Sequence, residues 1–306
     1  MSEEFAAAGV VVDTTPAGLV RALTRLLTIE HIDTDLYRGR QLPDGRGRMF
    51  GGQVIAQAIQ AAQDTVAGKP IHSFHAYFIA PGDEAAPVIF NINRDHDGRS
   101  FASRRVTASQ HGRAILTMLA SFQTVEQGFE HQDVMPDVPP PEQLVTELDY
   151  WTARADKLSD RVKHWLVRPR PIEMAFITHR SLFNPKKYEP KQASWFRAVA
   201  PLGDDPALHR AVLTYASDMS LLSTCSLPHG VSFMTGNLQS ASLDHAVWFH
   251  DDFRADDWLL YVTDSPRAKG ARGFNRGQIF SRDGRLVAST AQEGLIRLRE
   301  IKVDPA

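Results

Sequence analysis

The amino-acid sequence predicts an α+β fold in which one structural unit occurs twice. Each half of the 306 residues contains a helix-forming segment followed by several strand-forming segments with turn residues between them. Short motifs of the first half recur in the second half in the same order. A helix wrapped by a curled antiparallel sheet fits one half. Two such halves can pair edge to edge and bury both helices.

In the first half, apolar residues from Val54 to Ala62 recur at helical spacing and predict a buried helix from about Gly52 to Val66. A shorter helical pattern precedes it at 17–27. Gly68 and Pro70 end the main helix. Strand-forming runs separated by turn residues follow at 71–79, 88–94, 100–109 and 113–124.

In the second half, an apolar stripe from Leu208 to Leu222 predicts another helix, with Asp218 inside it and close to Tyr215. Strand-forming runs follow at 231–234, 241–250, 258–264, 271–281 and 285–297. One helix and an antiparallel series of strands therefore follow each other in both halves.

The recurrence extends to individual residues. The matched segments are His75-Ala76 with His245-Ala246, Arg99-Ser100-Phe101 with Arg272-Gly273-Phe274, Gly112-Arg113 with Gly284-Arg285, and Ala120-Ser121 with Ala288-Ser289. They indicate an internal duplication, although two unrelated series of strands can share such spacing by chance. We place the repeats at 20–125 and 185–300. Residues 126–184 between them, with prolines near position 140 and a charged stretch at 148–170, predict a linker and a surface helix.

Composition and charge exclude several classes of protein. A formal net charge of -2 lacks the basic surface of a general nucleic-acid-binding protein. No apolar run reaches the roughly 18 residues needed to cross a bilayer, so we expect no membrane insertion. The first residues lack the pattern of a secretory signal and the last residues lack Ser-Lys-Leu, so we expect neither a secretory nor a peroxisomal address. A single cysteine cannot form an intramolecular disulfide, so we expect a soluble protein of the reducing cytoplasm.

Several catalytic motifs are missing from the sequence. It contains no Gly-x-Ser-x-Gly elbow, no phosphate-binding loop and no dinucleotide fingerprint. His72 and His75 point to opposite faces of a predicted strand and cannot hold one metal ion together, and neither a His-Glu-x-x-His motif nor a cysteine pair occurs. We therefore expect no metal. Cys225 is interpreted as a small buried residue rather than a nucleophile.

Three polar residues of the second half are candidates for catalysis. Asp218 lies at the edge of an apolar helical stripe, where a carboxylate is costly to bury and can become a general base. Ser242 precedes an apolar strand. Gln292 lies in the last strand, with Glu293 facing the other way. Taken singly, each also fits an ordinary structural role, such as a solvated helix face, a helix cap or a polar strand residue.

Together, nine segments resemble the acyl-CoA thioesterase II family of the TesB type. They occur in the family's order between about Leu26 and Arg297. These segments are 50–54 (FGGQV), 72–78 (HSFHAYF), 100–106 (SFASRRV), 120–123 (ASFQ), 128–132 (GFEHQ), 217–218 (SD), 243–250 (LDHAVWFH), 272–274 (RGF) and 288–294 (ASTAQEG).

The resemblance implies a double hot-dog fold and hydrolysis of medium- to long-chain acyl-CoA to free fatty acid and coenzyme A, with no metal or organic cofactor. It implies that Asp218, Ser242 and Gln292 hold the attacking water. Position 242 carries Ser, the smaller of the family's two hydroxyl residues. The resemblance further implies association into a homodimer or homotetramer.

The substrate suggests further binding residues. Backbone N–H groups of Gly51 and Gly52, before the first helix, are candidate oxyanion donors, although tight helix packing explains these glycines equally well. Coenzyme A carries phosphates, so cationic residues are expected at the entrance. The candidates are Arg99, Arg272, Arg267 and Lys269, although a single charged residue of this kind is more often an ordinary solvated charge.

We expect one catalytic centre in each chain, because the first repeat lacks the full set of polar residues. In the sequence alignment of the repeats, His72 stands opposite Ser242, Thr124 stands opposite Gln292, and Gln53 is a rough counterpart of Asp218. Two other functions stay open. One is a hot-dog enoyl-CoA hydratase using Asp244-His245, whose side chains would face opposite ways. The other is a non-catalytic acyl-CoA-binding protein.

Overall fold

A computed structural model describes residues 13–41, 47–235 and 238–298. The α-helices in these ranges are α1 (Pro16–Leu27), α2 (Gly51–Asp64), α3 (Glu147–Thr152), α4 (Asp160–Leu166) and α5 (Pro206–Ser217). The strands are β1 (Glu30–Asp33), β2 (Leu36–Gly39), β3 (Ile71–Phe78), β4 (Val88–Asp97), β5 (Phe101–Gln110), β6 (Arg113–Gln123), β7 (Ile172–Phe176), β8 (Lys191–Ala198), β9 (Leu238–Ser242), β10 (Asp244–Phe249), β11 (Leu259–Lys269), β12 (Arg272–Ser281) and β13 (Leu286–Leu298).

These strands form one antiparallel sheet with the order β1-β2-β4-β5-β6-β3-β10-β13-β12-β11-β8-β7, and β9 pairs with β13. From the central β3–β10 pair, each half continues outward through equivalent strands: β6, β5, β4, β2 and β1 on one side, and β13, β12, β11, β8 and β7 on the other. The topology therefore agrees with the predicted duplication and with pairing of the two halves edge to edge.

The strand registers identify equivalent residues in the two repeats. β3 and β10 pair about a local two-fold axis, because His75 pairs with Ala246 while Ala76 pairs with His245 and Phe74 pairs with Val247. His75 is exposed and His245 is buried, so these two residues face opposite sides of the sheet, and an axis through the His75–Ala246 pair makes the buried Phe74 the structural counterpart of His245. The predicted match of His75 with His245 is wrong by one residue.

A second correction concerns the strands next to this pair. In the first repeat, Met118 of β6 pairs with Ala76. In the second repeat, Thr290 of β13 pairs with Val247, which is the counterpart of Ala76. Met118 and Thr290 are therefore equivalent. Two residues further along these strands, Ala120 corresponds to Gln292, so the predicted match with Thr124 is wrong. The error lies beyond the turn, because matching Ala120-Ser121 with Ala288-Ser289 by their sequence shifts the alignment four residues away from the strand registers.

The two central helices pack side by side, with the start of α2 next to the end of α5. A Cβ atom at Gly52 would lie 2.7 Å from the backbone oxygen of Tyr215, so the close approach requires glycine there. This arrangement corrects another predicted equivalence. Gln53 lies in the first turn of α2, whereas Asp218 follows the last turn of α5. The counterpart of Asp218 is therefore near Thr65, after the end of α2.

Two strand predictions in the second repeat are also corrected. The run 241–250 belongs to two strands, β9 and β10, rather than one. The strand is interrupted at Leu243, whose N–H donates to the carbonyl oxygen of Glu293. The run 231–234 is not a strand and leads into the 3₁₀ helix Phe233–Thr235. The outer strands β1, β2, β7 and β8 were not predicted. β1, for example, has four residues and no alternation of buried and exposed positions.

The segment between the repeats lies against the second repeat. Its residue Gln132 donates to the carbonyl oxygen of Gly284 at 2.8 Å and accepts from the N–H of Leu286 at 3.0 Å. The Trp195 indole donates to the carbonyl oxygen of Pro139. The boundaries 20–125, 126–184 and 185–300 as separate domains stay a prediction. None of the helices in the described ranges is long and apolar enough to cross a membrane.

Candidate active site

Asp218, Ser242 and Gln292 come together where the end of α5 meets the start of α2. The amide nitrogen of Gln292 donates to Asp218 Oδ1 at 2.7 Å. The Ser242 hydroxyl is 3.5 Å from the same oxygen, which makes it a weak donor. The backbone N–H of Gly52 also donates to the Asp218 carboxylate. Two elements of the second repeat, β9 and β13, and α2 of the first repeat therefore converge on the carboxylate at the end of α5.

Asp218 lies outside the helix in which the sequence analysis placed it. α5 ends at Ser217, and Asp218 is its C-cap residue with φ -81° and ψ -9°. The apolar stripe continues past the helix because Leu221 is buried in a following 3₁₀ turn. The carboxylate thereby faces the first turn of α2, where backbone N–H groups and the helix dipole favour a negative charge.

The surroundings of Asp218 shift its pKa in opposing directions. Burial raises the pKa of Asp218 to about 6, and the hydrogen bonds from Gln292, Gly52 and Ser242 offset part of that rise. A carboxyl group with this pKa is mostly ionised at neutral pH and is a stronger base than an exposed aspartate. The site can therefore accept a proton from a bound water molecule.

Gly51 and Gly52 make different contacts. A Cβ atom at Gly51 would lie 2.9 Å from Asp218 Oδ2 and 2.8 Å from the ring of Phe78, so Gly51 borders the carboxylate. The N–H of Gly52 is engaged by Asp218. The predicted role of these glycines as oxyanion donors stays a prediction, and Gly51 carries it more readily because Gly52 already has a partner.

His245 is a polar neighbour of the site whose contacts the sequence did not predict. Its ring is fully buried, with Nδ1 3.1 Å from the Gln292 amide nitrogen and Nε2 2.9 Å from the Ser217 hydroxyl. Burial lowers the pKa of His245 to about 3. Asp244 has a separate partner, the N–H of Glu293. Strand alternation predicted only that Asp244 and His245 face opposite ways, and the partners of His245 come from two distant elements.

The four candidate cationic residues are exposed. Arg272 forms an ion pair with Glu293 at 3.0 Å. Because Glu293 and Gln292 point to opposite faces of β13, this ion pair lies on the outer face of the sheet. Arg99, Arg267 and Lys269 are also exposed. Contact of any of them with the nucleotide of coenzyme A stays a prediction.

Cys225 is buried in the 3₁₀ segment that follows Asp218, and burial raises the pKa of its thiol. A Cβ atom at Gly273 would collide with the Cys225 side chain, so this cysteine packs tightly against β12. Within the described part of the chain, no three His, Cys, Asp or Glu side chains form a cluster suited to a metal ion.

Comparisons with known proteins decide the family. A family model described as acyl-CoA thioesterase matches residues 164–295, and one described as acyl-CoA thioesterase N-terminal domain matches residues 41–123. Acyl-CoA thioesterase 2 of Haemophilus influenzae is 38% identical over 283 residues, which are 92% of this chain and 99% of the relative. The chain belongs to the acyl-CoA thioesterase family.

Other members of the family support the assignment. Human acyl-coenzyme A thioesterase 8 is 40% identical, with 93% of this chain and 92% of the relative covered. The crystal structure of acyl-CoA thioesterase II TesB2 from Mycobacterium marinum has a TM-score of 0.74 and 38% identity, with 91% and 99% coverage. A hot-dog protein from Alicyclobacillus acidocaldarius, with a TM-score of 0.73 and 20% identity, supports the fold alone.

Membership confirms two predictions for this acyl-CoA thioesterase. The fold is a double hot-dog, in which α2 and α5 are the central helices of the two repeats. The protein is an enzyme, a thioester hydrolase.

Proposed function

We propose that this thioesterase hydrolyses medium- to long-chain fatty acyl-CoA, with Asp218 as the general base that activates water and with Ser242 and Gln292 as the groups that position it. The observation that carries the proposal is the Asp218 carboxylate, which is largely buried, has a pKa raised to about 6 and is held by Gln292 at 2.7 Å. A base with a pKa near the working pH transfers protons efficiently.

The proposed reaction uses one water molecule for each thioester. The water oxygen attacks the carbonyl carbon while a water proton passes to Asp218. The carbonyl π electrons move to the oxygen, which backbone N–H donors stabilise. When the C=O bond forms again, the C–S bond breaks and the thiolate leaves. A thiol pKa of about 8.5 makes the thiolate a good leaving group. The proton on Asp218 is then released to the thiolate or to solvent.

Apolar side chains beside the carboxylate support an acyl substrate. The rings of Phe50 and Tyr215 pack edge to face at 5.0 Å, and Phe78 lies against Gly51. Tyr215, Phe78 and Met219 are partly buried against the main core. A hydrocarbon chain placed along these side chains would gain from burial of its methylene groups. This apolar surface supports the proposed preference for medium or long chains.

A comparison of equivalent residues in the two repeats supports one catalytic centre in each chain. At the equivalent place in the first repeat, Ala120 replaces Gln292 and Phe74 replaces His245. The end of α2 is instead bound by Arg104, a buried residue that donates to Thr65. A cation and apolar side chains fill the place where a second carboxylate centre would lie.

Release of free thiol from palmitoyl-CoA, octanoyl-CoA and acetyl-CoA tests the reaction and its chain-length preference. We expect hydrolysis that is faster for the longer two and reduced about 10²- to 10⁴-fold in Asp218→Ala. Asp64→Asn is a matched control, because Asp64 ends α2 in the first repeat and accepts a hydrogen bond from Tyr37. Crotonyl-CoA hydration without thiol release would instead identify a hydratase, and full activity in Asp218→Ala would exclude this base.

We also propose that the protein works in the cytoplasm and as a homodimer or homotetramer. The buried thiol Cys225 suits a reducing compartment. Apolar side chains on the outer face of the central strands, Tyr77 and Leu119, are more than half exposed and suit contact with another copy. Light scattering of the purified protein measures this association.

A further inference from the structure

We propose that His245 is a positioning residue for thioester hydrolysis: as a neutral ring protonated on Nε2, it sets the orientation of the Gln292 amide and thereby the hydrogen bond that Gln292 gives to Asp218. The inference rests on the proposed role of Asp218 as the base. It assigns a function to a fully buried histidine whose ring makes two side-chain hydrogen bonds.

The position of one proton follows from the Ser217 hydroxyl. Ser217 Oγ donates its single hydrogen to the carbonyl oxygen of Thr214 at 2.9 Å. It can therefore only accept from His245 Nε2, which lies 2.9 Å away. The proton of the neutral ring is on Nε2, and Nδ1 carries a lone pair. Ser217 thus determines the tautomer of His245.

The tautomer in turn determines the orientation of Gln292. His245 Nδ1 and Asp218 Oδ1 are both acceptors, at 3.1 Å and 2.7 Å from the same atom of Gln292. That atom must be the amide nitrogen, whose two hydrogens satisfy both acceptors. A reversed amide would set its carbonyl oxygen against two acceptors. One continuous series of hydrogen bonds therefore joins the backbone of α5 to the Asp218 carboxylate.

This orientation leaves the Gln292 carbonyl oxygen for another donor. Gln292 Oε1 is buried and makes no hydrogen bond with the described residues. A buried amide oxygen without a partner is costly in a folded protein. The same orientation directs the amide nitrogen at Asp218, so the carboxylate that accepts a hydrogen from the attacking water is held in one position. His245 therefore acts on the reacting water through Gln292 and does not touch it.

Asp218 is the group in this cluster that changes charge near neutral pH. Burial lowers the pKa of His245, on β10, to about 3, so its ring stays neutral. Burial raises the pKa of Tyr261, on β11, whose hydroxyl lies 2.8 Å from Thr290. On β13, Glu293 lies on the outer face of the sheet, and the first turn of α2 has no acidic residue. The pH dependence of activity therefore reports on Asp218.

The duplicated fold provides a suitable variant. Phe74 occupies the equivalent position in the first repeat and is fully buried there, so a phenyl ring fits this place in the sheet. In His245→Phe, Gln292 loses an acceptor and no longer has a unique orientation. We expect kcat to fall roughly 5- to 100-fold with KM little changed. We also expect the kinetic pKa to rise, because the Gln292 hydrogen bond lowers the pKa of Asp218.

The variant His245→Asn should restore the hydrogen bond from Gln292 that His245→Phe removes. An asparagine amide oxygen can take the place of Nδ1 and accept from Gln292, so we expect a kinetic pKa close to that of the wild type and more activity than His245→Phe retains. Thermal unfolding confirms that each variant is folded. Wild-type kcat and kinetic pKa in folded His245→Phe would overturn the proposal. Equal defects in folded Phe and Asn variants would also overturn it, since a purely structural role predicts them.

Nitrogen NMR of histidine-labelled wild-type protein tests the tautomer without reference to any reaction. We expect one ring in the Nε2–H form that stays neutral at pH 5, that is absent from His245→Asn, and that becomes a mixture of tautomers in Ser217→Ala. An Nδ1–H or charged ring at position 245 would overturn the proposal. Full thiol release by Asp218→Ala would instead overturn the proposed function while leaving the NMR result intact.

Discussion

Asp218 owes its expected reactivity to its burial, because burial raises the pKa of the carboxyl group while only neutral donors stabilise its charge. The described structure places Gln292, Gly52 and Ser242 around it, and none of these carries a formal charge. An arginine in their place would keep the pKa low and remove the basicity. The choice of neutral donors therefore suits a base that operates near neutral pH.

This environment predicts a simple pH profile. The kcat/KM for palmitoyl-CoA should rise about tenfold per pH unit below pH 6 and level off above it, because only the ionised form of Asp218 accepts a proton. Initial rates between pH 4.5 and 8, corrected for spontaneous hydrolysis, measure the profile. A rate that is independent of pH from 5 to 7 would contradict the assignment of Asp218 as the base.

The same pKa predicts an effect on stability. The folded-state pKa of Asp218, about 6, exceeds its ordinary value of 3.8, so the ionised form disfavours folding. This cost is absent below about pH 3.8 and complete above about pH 6. The free energy of unfolding of Asp218→Asn, relative to the wild type, should therefore increase by up to about 3 kcal/mol from pH 4 to pH 7.5. Urea unfolding at both pH values measures it, and a constant difference would contradict it.

At the residue scale, the sequence predicted which residues meet but not how they are held. Asp218, Ser242 and Gln292 were candidates as polar residues of the second half, a family resemblance gave them a shared role, and the structure brings them within hydrogen-bonding reach. The role of His245 was missed, because its partners belong to α5 and β13 and no local pattern links them. Side-chain networks between distant elements are visible only after the chain has folded.

At the scale of elements, the junction of α2 and α5 positions the site. Gly51 and Gly52 begin α2, and the next turns of this helix are almost entirely buried. A Cβ atom at Gly51 would meet the Asp218 carboxylate and the ring of Phe78. A Cβ atom at Gly52 would meet the backbone of α5. Similar glycines in the sequence therefore have separable effects on activity and stability.

Alanine substitutions test this difference. In Gly52→Ala, the new methyl group meets the Tyr215 carbonyl oxygen, which cannot move without α5, so we expect a loss of about 1–3 kcal/mol in the free energy of unfolding. In Gly51→Ala, the methyl group meets movable side chains, so we expect a smaller loss of stability and at least about a tenfold loss of kcat/KM. Equal effects of both substitutions on stability and on rate would contradict the distinction.

The long elements were predictable, whereas the registers between them were not. Helix α2 and strands β3 to β6 agree with the predicted runs to within a few residues, because their apolar spacing is regular. The interruption of strand pairing at Leu243 lies in a run without Gly or Pro, so no turn residue indicated it. The error of one residue at His75 arose because motif similarity, rather than pairing in the sheet, set the alignment.

At the scale of the whole molecule, duplication produces one continuous sheet from two units. The β3–β10 pair joins them, and each repeat contributes its helix to a shared core. Duplication was predictable because both copies keep the same order of elements. The sequence predicted that only one repeat carries the site. It did not identify the equivalent residues of the other repeat, because these are known only from the strand registers.

This asymmetry predicts one substrate site per chain. At the end of α5, Asp218 has Gln292 as its partner, whereas the end of α2 is bound by the buried guanidinium of Arg104, which donates to both the side chain and the backbone of Thr65. Calorimetric titration with a non-hydrolysable thioether analogue of palmitoyl-CoA should give one site per chain, whatever the number of chains in the assembly. Asp218→Ala should retain that stoichiometry while losing hydrolysis, because the apolar surface near Phe78 remains. Two equal sites per chain would show that the first repeat also binds substrate and would contradict the role of Arg104 in closing the equivalent place.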